Sequence, residues 1–281
     1  MKFNVSAQLE YHIKSASTLV LNIQALRTQD QTVLQETFTV SPEVKIEELL
    51  SVGGENRMIR LDVPNACRLK VSYNAVVNNS FKITDHRKVQ EEPISKLSPE
   101  ILPYLSPSRY CQSDKLYRLA NHMFGDIDSP YAQVIALTNW IRTNVLYLSG
   151  STNSQTSAYD TVTEQAGVCR DFAHLGIALC RALTIPARYF TGYAYKLKPA
   201  DFHACFEAYL GNQWVLFDAT GLAPLNGMVK IATGRDAADA AIASIFGDAY
   251  GTRMTISCEL AEDDFKPYFY SGSKFEGLTY L

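Results

Sequence analysis

From Phe3 to Ile13 every odd position is apolar or aromatic (Phe3, Val5, Ala7, Leu9, Tyr11, Ile13) and every even position from Asn4 to His12 is polar. That period of two places alternate side chains on one face and predicts a half-buried strand. The same parity returns at Leu19, Leu21, Ile23 and Ala25, at Ile59, Leu61 and Val63, and at Leu69, Val71 and Tyr73. Turn formers stand between these runs at Ser41-Pro42 and Gly53-Gly54, and the segment offers at most a helical turn over residues 44–50. About the first 85 residues therefore read as antiparallel β, and a small β-sandwich best buries their apolar faces.

Pro93, Pro99, Pro103 and Pro107 then interrupt residues 86–108 at intervals too short for a helix or a central strand. This stretch reads as the connection between two domains, 1–106 for the sandwich with its linker and 107–281 for the remainder. Beyond it the period changes to that of helices. Ser113 or Asp114 can cap one helix through about residue 124, and Asp128-Ser129-Pro130 opens another through about residue 145, with proline in the first turn where its missing N–H costs nothing. Residues 149–157 form a polar stretch that can edge a cleft, and the aromatic-rich tail over 265–280 reads as a cleft cover, a subunit contact or a surface strand.

Composition narrows the function classes. With 47% hydrophobic and 20% charged residues the chain reads as an ordinary globular protein, and a net charge of −3 without a Lys/Arg cluster excludes a nucleic-acid partner. No run reaches the roughly 18 apolar residues of a membrane span, and the first residues lack the apolar core of a secretory signal. Six cysteines, at 67, 111, 169, 180, 205 and 258, contain no CxxC pair, which fits a reducing cytoplasm and no disulfide framework.

One cysteine stands in a chemically active place. From Cys169 small or apolar residues fall at 169, 172, 173, 176, 179, 180 and 183, the face of an amphipathic helix ending before Pro186. Cys169 opens that helix, where unpaired N–H groups and the helix dipole favour an anion and thereby a thiolate nucleophile. Two strand-like runs follow over 188–195 and 202–210, and the second turns through Gly211-Asn212 into a third over 213–218. A two-residue hairpin turn pairs residues whose numbers sum to 423, so Cys205 faces Asp218 and His203 becomes the diagonal neighbour of Asp218 on the same sheet face. Cysteine, histidine and carboxylate are the parts of an activated nucleophile.

The run Gly167-Val168-Cys169-Arg170-Asp171-Phe172-Ala173-His174-Leu175, then Leu179-Cys180-Arg181-Ala182-Leu183 and Ile185-Pro186-Ala187-Arg188, resembles the nucleophile segment of bacterial transglutaminase-like proteins. His203-Ala204, Glu207-Ala208-Tyr209, Trp214-Val215-Leu216-Phe217-Asp218 and Gly234-Arg235-Asp236 with Asp239 resemble further segments of that family. The resemblance implies an α+β fold with a papain-like core behind an N-terminal β-domain. It also implies Cys169 as nucleophile, His203 as general base and acid, and Asp218 as its orienter. Two departures stand out: Cys205 replaces a common aromatic two residues after the histidine, and Thr184 replaces a glycine before Ile185-Pro186.

The implied chemistry is attack on a peptide or protein amide, a thioester intermediate, and transfer to water or to an amine, with hydrolysis favoured. The backbone N–H of Cys169 and one further donor would hold the oxyanion, and Gln165 is the nearest upstream amide. No cofactor is called for. Cys169, His174, Cys180, His203 and Cys205 lack the spacing of a zinc site, and His174 lies about 140° around the helix from Cys169. A second reading keeps the scaffold as a non-catalytic binding module.

Overall fold

The computed structural model of the chain describes all residues except 52–55, 90, 263, 272–273 and 281, so the Gly53-Gly54 turn lies outside the described residues. The first strands are β1 (Lys2–Ile13), β2 (Ser17–Leu21), β3 (Gln31–Ser41), β4 (Lys45–Leu50), β5 (Arg57–Val63), β6 (Cys67–Asn79) and β7 (Lys82–Asp85). After three short 3-10 turns come α1 (Ser113–Phe124), α2 (Pro130–Asn144), β8 (Leu146–Tyr147), α3 (Ala158–Glu164), β9 (Ala166–Gly167) and α4 (Cys169–Ala182). The chain closes with β10 (Ala187–Ala194), β11 (Phe202–Leu210), β12 (Gln213–Phe217), β13 (Met228–Gly234), β14 (Ala243–Phe246), β15 (Ala249–Leu260) and β16 (Glu276–Thr279).

Two four-stranded sheets, in the orders β15-β1-β6-β3 and β14-β2-β5-β4, make the N-terminal sandwich. Their inner faces are the odd-numbered positions of the sequence pattern, with Phe3, Val5, Leu9, Leu19, Leu21, Ile59, Leu61, Leu69 and Val71 all buried in one core. Each such side chain contributes about 1.5–3 kcal/mol on burial, so the alternation itself holds the two sheets together. The helical turn expected over residues 44–50 is instead the edge strand β4, paired from Lys45↔Asp62 to Leu50↔Arg57. None of its side chains is buried, so its sequence carries no face signal.

Strands from both sides of residue 106 contribute to each sheet system. β14 and β15 return to the sandwich, pairing with β2 and β1, while β7 joins the edge of the six-stranded sheet β13-β10-β11-β12-β16-β7. The tail residues 276–279 form β16 in that sheet, and Phe265 packs on Phe3 and Tyr195. The exposed edge of β13 is closed by side-chain amides from the sandwich. Gln31 donates to the Lys230 carbonyl and accepts from the Lys230 N–H, and Asn56 does the same at Thr233. Each amide imitates a neighbouring strand, which satisfies an edge that would otherwise invite pairing.

Helix α4 lies across the six-stranded sheet. Gly176 is required there because a Cβ would stand 2.5 Å from the ring of Phe206 on β11. The helix start is fixed by Asp171, which accepts from the Val168 N–H at 2.9 Å and is held by Arg170. Its C-terminal turn closes through the Ile185 N–H on the Cys180 carbonyl, with Thr184 at φ 64°. A β-branched residue is strained in that left-handed region, which explains why glycine suits this position. Thr184→Gly is therefore expected to stabilise the fold by about 1 kcal/mol, the relieved strain outweighing the extra unfolded-state entropy. A urea midpoint that falls on this substitution would refute the assignment.

Candidate active site

The Gly211-Asn212 turn places both of its residues at positive φ, 56° and 60°, as a tight two-residue hairpin requires. It sets the register Leu210↔Gln213, Tyr209↔Trp214 and Phe206↔Phe217, the sum of 423 expected from the sequence. Continued one residue past β12, that register sets Asp218 opposite Cys205. His203 Nε2 stands 2.9 Å from Asp218 Oδ2, and both side chains are almost wholly buried, at 1% and 2% exposure. The other carboxylate oxygen, Oδ1, accepts from the Thr220 N–H at 2.8 Å and the Thr220 hydroxyl at 2.7 Å. Three hydrogen bonds thus fix the carboxylate plane that orients the imidazole.

Electrostatics reinforces the pair. Burial pushes the Asp218 carboxyl up, but the His203 charge and the hydrogen bonds from His203 and Thr220 outweigh it and hold the group below its ordinary range. Burial likewise opposes charge on His203, yet the facing Asp218 carboxylate, the Cys205 thiol, and the hydrogen bond to Asp218 with Cys169 nearby hold the imidazolium well above its usual pKa. With Nε2 committed to Asp218, the second ring nitrogen, Nδ1, is buried and has no other hydrogen-bond partner. Two thiols face the imidazole, Cys169, half-buried as the first residue of α4, and Cys205, buried two residues along β11.

Tyr147 completes the surroundings of Cys169, and no pattern in the sequence points to it. The two-residue strands β8 and β9 pair in parallel, Tyr147 against Gly167, through bonds from Leu146 N–H to the Gln165 carbonyl and from Leu148 N–H to the Gly167 carbonyl. That pairing carries Tyr147 to the helix start, where its phenol lies beside the backbone N–H of Cys169 and its ring packs on Phe172, centroids 5.8 Å apart. Burial, with Cys169 beside it, pushes the Tyr147 phenol up, so it remains a protonated donor at neutral pH. Gln165, the upstream amide named from the sequence, is exposed and left-handed at φ 54°, and lines the adjoining cleft. This cleft has a volume of about 490 Å³ and is walled by the end of α2, β8, Phe172 and Thr220.

The remaining cysteines and His174 serve the core. Burial pushes the thiols of Cys111, Cys180 and Cys258 far up and that of Cys205 up to about 12. His174 is fully buried, stacked between Tyr110 and Tyr189, and its Nε2 accepts from the Ala237 N–H at 3.1 Å. His203, Cys205 and Asp218 have potential ligand atoms within 4.8 Å of one another. Two tetrahedral zinc ligands bonded at about 2.0 Å would stand roughly 3.3 Å apart. The 2.9 Å spacing of His203 and Asp218 is instead that of a charge-assisted hydrogen bond.

Comparison with known proteins places these features in a family. Residues 1–100 match the bacterial transglutaminase N-terminal domain and residues 117–219 match the transglutaminase-like superfamily. A solved structure of a putative cysteine protease from Cytophaga hutchinsonii is 54% identical, superposes with a TM-score of 0.98 and is covered to 98% by all of this chain. An uncharacterized protein of Mycobacterium leprae is 26% identical over 165 residues, 56% of this chain and 59% of that protein. One from Mycobacterium bovis is 32% identical over 126 residues, 39% of this chain and 40% of that protein. The chain thus spans well under two thirds of the length of these two curated relatives. From the N-terminal β-domain through the helix and strands that carry Cys169, His203 and Asp218, the chain belongs to the transglutaminase-like superfamily.

Proposed function

We propose that the chain is a cysteine amidohydrolase or protease in which Cys169, His203 and Asp218 act as nucleophile, general base and acid, and orienting carboxylate. The observation that carries this reading is the division of labour on one imidazole: Nε2 is tied to Asp218, Nδ1 has no hydrogen-bond partner, and of the two thiols beside the ring only Cys169 is reached by solvent. Cys169 attacks the amide carbonyl as the thiolate of an ion pair with the His203 imidazolium, and Nδ1 then delivers its proton to the leaving amine. The C–N bond breaks and a thioester remains, which water, deprotonated by the same nitrogen, hydrolyses to the acid and the free thiol. The open cleft beside Tyr147 admits water and supports hydrolysis over transfer to an amine.

Tyr147 supports the same chemistry as the second oxyanion donor. In the free protein its phenol lies beside the Cys169 N–H. When a substrate oxygen takes over that N–H, the hydroxyl is in reach to donate to the same oxygen. Tyr147→Phe is expected to lower kcat by about ten- to a hundredfold with little change in KM, because the bond forms only as negative charge develops. Steady-state kinetics on peptide amide substrates tests this, and an unaltered kcat removes Tyr147 from the mechanism. The function itself is tested by release of ammonia or amine from a library of amides, compared with Cys169→Ala. Binding of peptides without turnover by the intact protein would favour a non-catalytic module on this scaffold.

A further inference from the structure

The cleft that reaches toward Cys169 through Tyr147 and Phe172 carries one cation and no carboxylate. Its walls, which include Tyr147, Gln165, Phe172 and Thr220, combine apolar and neutral hydrogen-bonding groups with a single guanidinium, that of Arg142. Among the described residues no ion pair includes Arg142. Asp201, whose charge is felt at Tyr147 and His203, does not line the cleft.

The guanidinium is nevertheless held in place. It lies against Gly221, in the turn that follows Asp218, so closely that a Cβ there would stand 2.7–2.8 Å from its atoms. Gly221 has φ 62°, which also suits glycine. Tyr270, whose hydroxyl donates a hydrogen bond to Asn139 Oδ1 at 2.8 Å, also stands beside Arg142. Every partner is neutral, so these contacts position the charge without compensating it. A planar guanidinium fixed in this way retains free N–H donors suited to a carboxylate.

We propose that Arg142 is a carboxylate subsite, and that the acyl donor carries a carboxylate a few bonds from the amide that Cys169 attacks. The proposal rests on the nucleophile reading above and extends it to the substrate class: amides of acidic or terminally carboxylated compounds. Tyr147 and Phe172 would flank the stem between amide and carboxylate, with Gln165 and Thr220 available to its polar atoms.

The test uses the full chain and measures how far small amides slow alkylation of Cys169 by iodoacetamide, with each protein normalised to its own unprotected rate. Succinamate, glutaramate and adipamate, which space a carboxylate at three distances from an amide, are compared with the matched diamides. At least one carboxylate is expected to protect at about fivefold lower concentration than its diamide. Arg142→Gln should abolish that preference, and Arg142→Lys, which keeps the charge but loses the fork, should keep part of it. Equal protection by acids and diamides, no protection by any acid while Cys169 alkylates normally, or a preference that survives Arg142→Gln would overturn the subsite and leave the nucleophile intact. Failure of Cys169 to alkylate preferentially overturns the nucleophile reading, and the subsite falls with it.

Discussion

Asp218→Asn is expected to reduce amide cleavage by about three to four orders of magnitude while leaving the fold in place. The side chains are nearly isosteric, and the Thr220 N–H and hydroxyl can still bond to the amide oxygen in the position of Oδ1. The remaining amide nitrogen then faces His203 Nε2 as a donor, where the carboxylate faced it as an acceptor. Nε2 must lose its proton to accept that bond, and the proton moves to Nδ1, the nitrogen that has to receive it from Cys169. The imidazolium also loses its counter-charge. Because Asp218 now holds the His203 imidazolium well above its usual pKa, the variant should also show the alkaline limb of its pH–rate profile, where that imidazolium is lost, displaced toward lower pH. Full activity in a folded Asp218→Asn protein would remove the carboxylate from the mechanism.

The largest expected effect on stability comes from Glu207, one strand position beyond Cys205 on the same face of β11. It is fully buried and binds two cations, Arg188 on β10 through Nε and Lys230 on β13 at 2.9 Å, thereby joining three neighbouring strands. The Arg188 guanidinium also lies 4.3 Å from the Trp214 ring centroid. Burial pushes the Glu207 carboxyl up, but the two cations and their hydrogen bonds outweigh it, so its pKa is lowered in the folded state. Glu207→Ala should cost about 3–5 kcal/mol, most of it from leaving buried cations without their anion. Replacing Glu207, Arg188 and Lys230 together by apolar residues of similar volume should recover most of that loss. Since the folded pKa is lowered, the contribution is fully present above the unfolded carboxyl pKa of about 4.3 and is lost as pH falls through the folded value. Urea titrations of the wild type and of Glu207→Gln should therefore converge in acid, and parallel curves down to low pH would contradict this.

Much of the site was legible because it depends on short-range rules. The helix that opens at Cys169 follows from its apolar face, and the His203–Asp218 meeting follows from a two-residue turn whose register admits little choice. A slip of one residue would have put the two side chains on opposite faces. The sandwich was legible wherever strands bury one face, as β1, β2, β5 and β6 do.

What was not legible lacks either burial or proximity in sequence. β4 has no buried side chain, and β15 exposes most of its length, so neither shows a period; moreover β15 pairs with β1 from nearly the other end of the chain. Tyr147 sits on a two-residue strand, and only its parallel pairing with Gly167 brings it to Cys169. Arg142 reads as the polar end of a surface helix until the turn after Asp218 is folded against it. Such tertiary placements leave no periodic trace.

The most direct measurement is peptide mapping by mass spectrometry after brief, substoichiometric iodoacetamide treatment between about pH 5 and 9, with wild type and His203→Ala side by side. Cys111, Cys180, Cys205 and Cys258 are buried, with thiols pushed well up, so Cys67 is the half-buried internal reference for Cys169. The account predicts that Cys169 reacts at least about tenfold faster than Cys67 near pH 6 and that His203→Ala removes the preference. Equal labelling of the two cysteines, or a preference that survives loss of His203, would contradict a histidine-activated nucleophile.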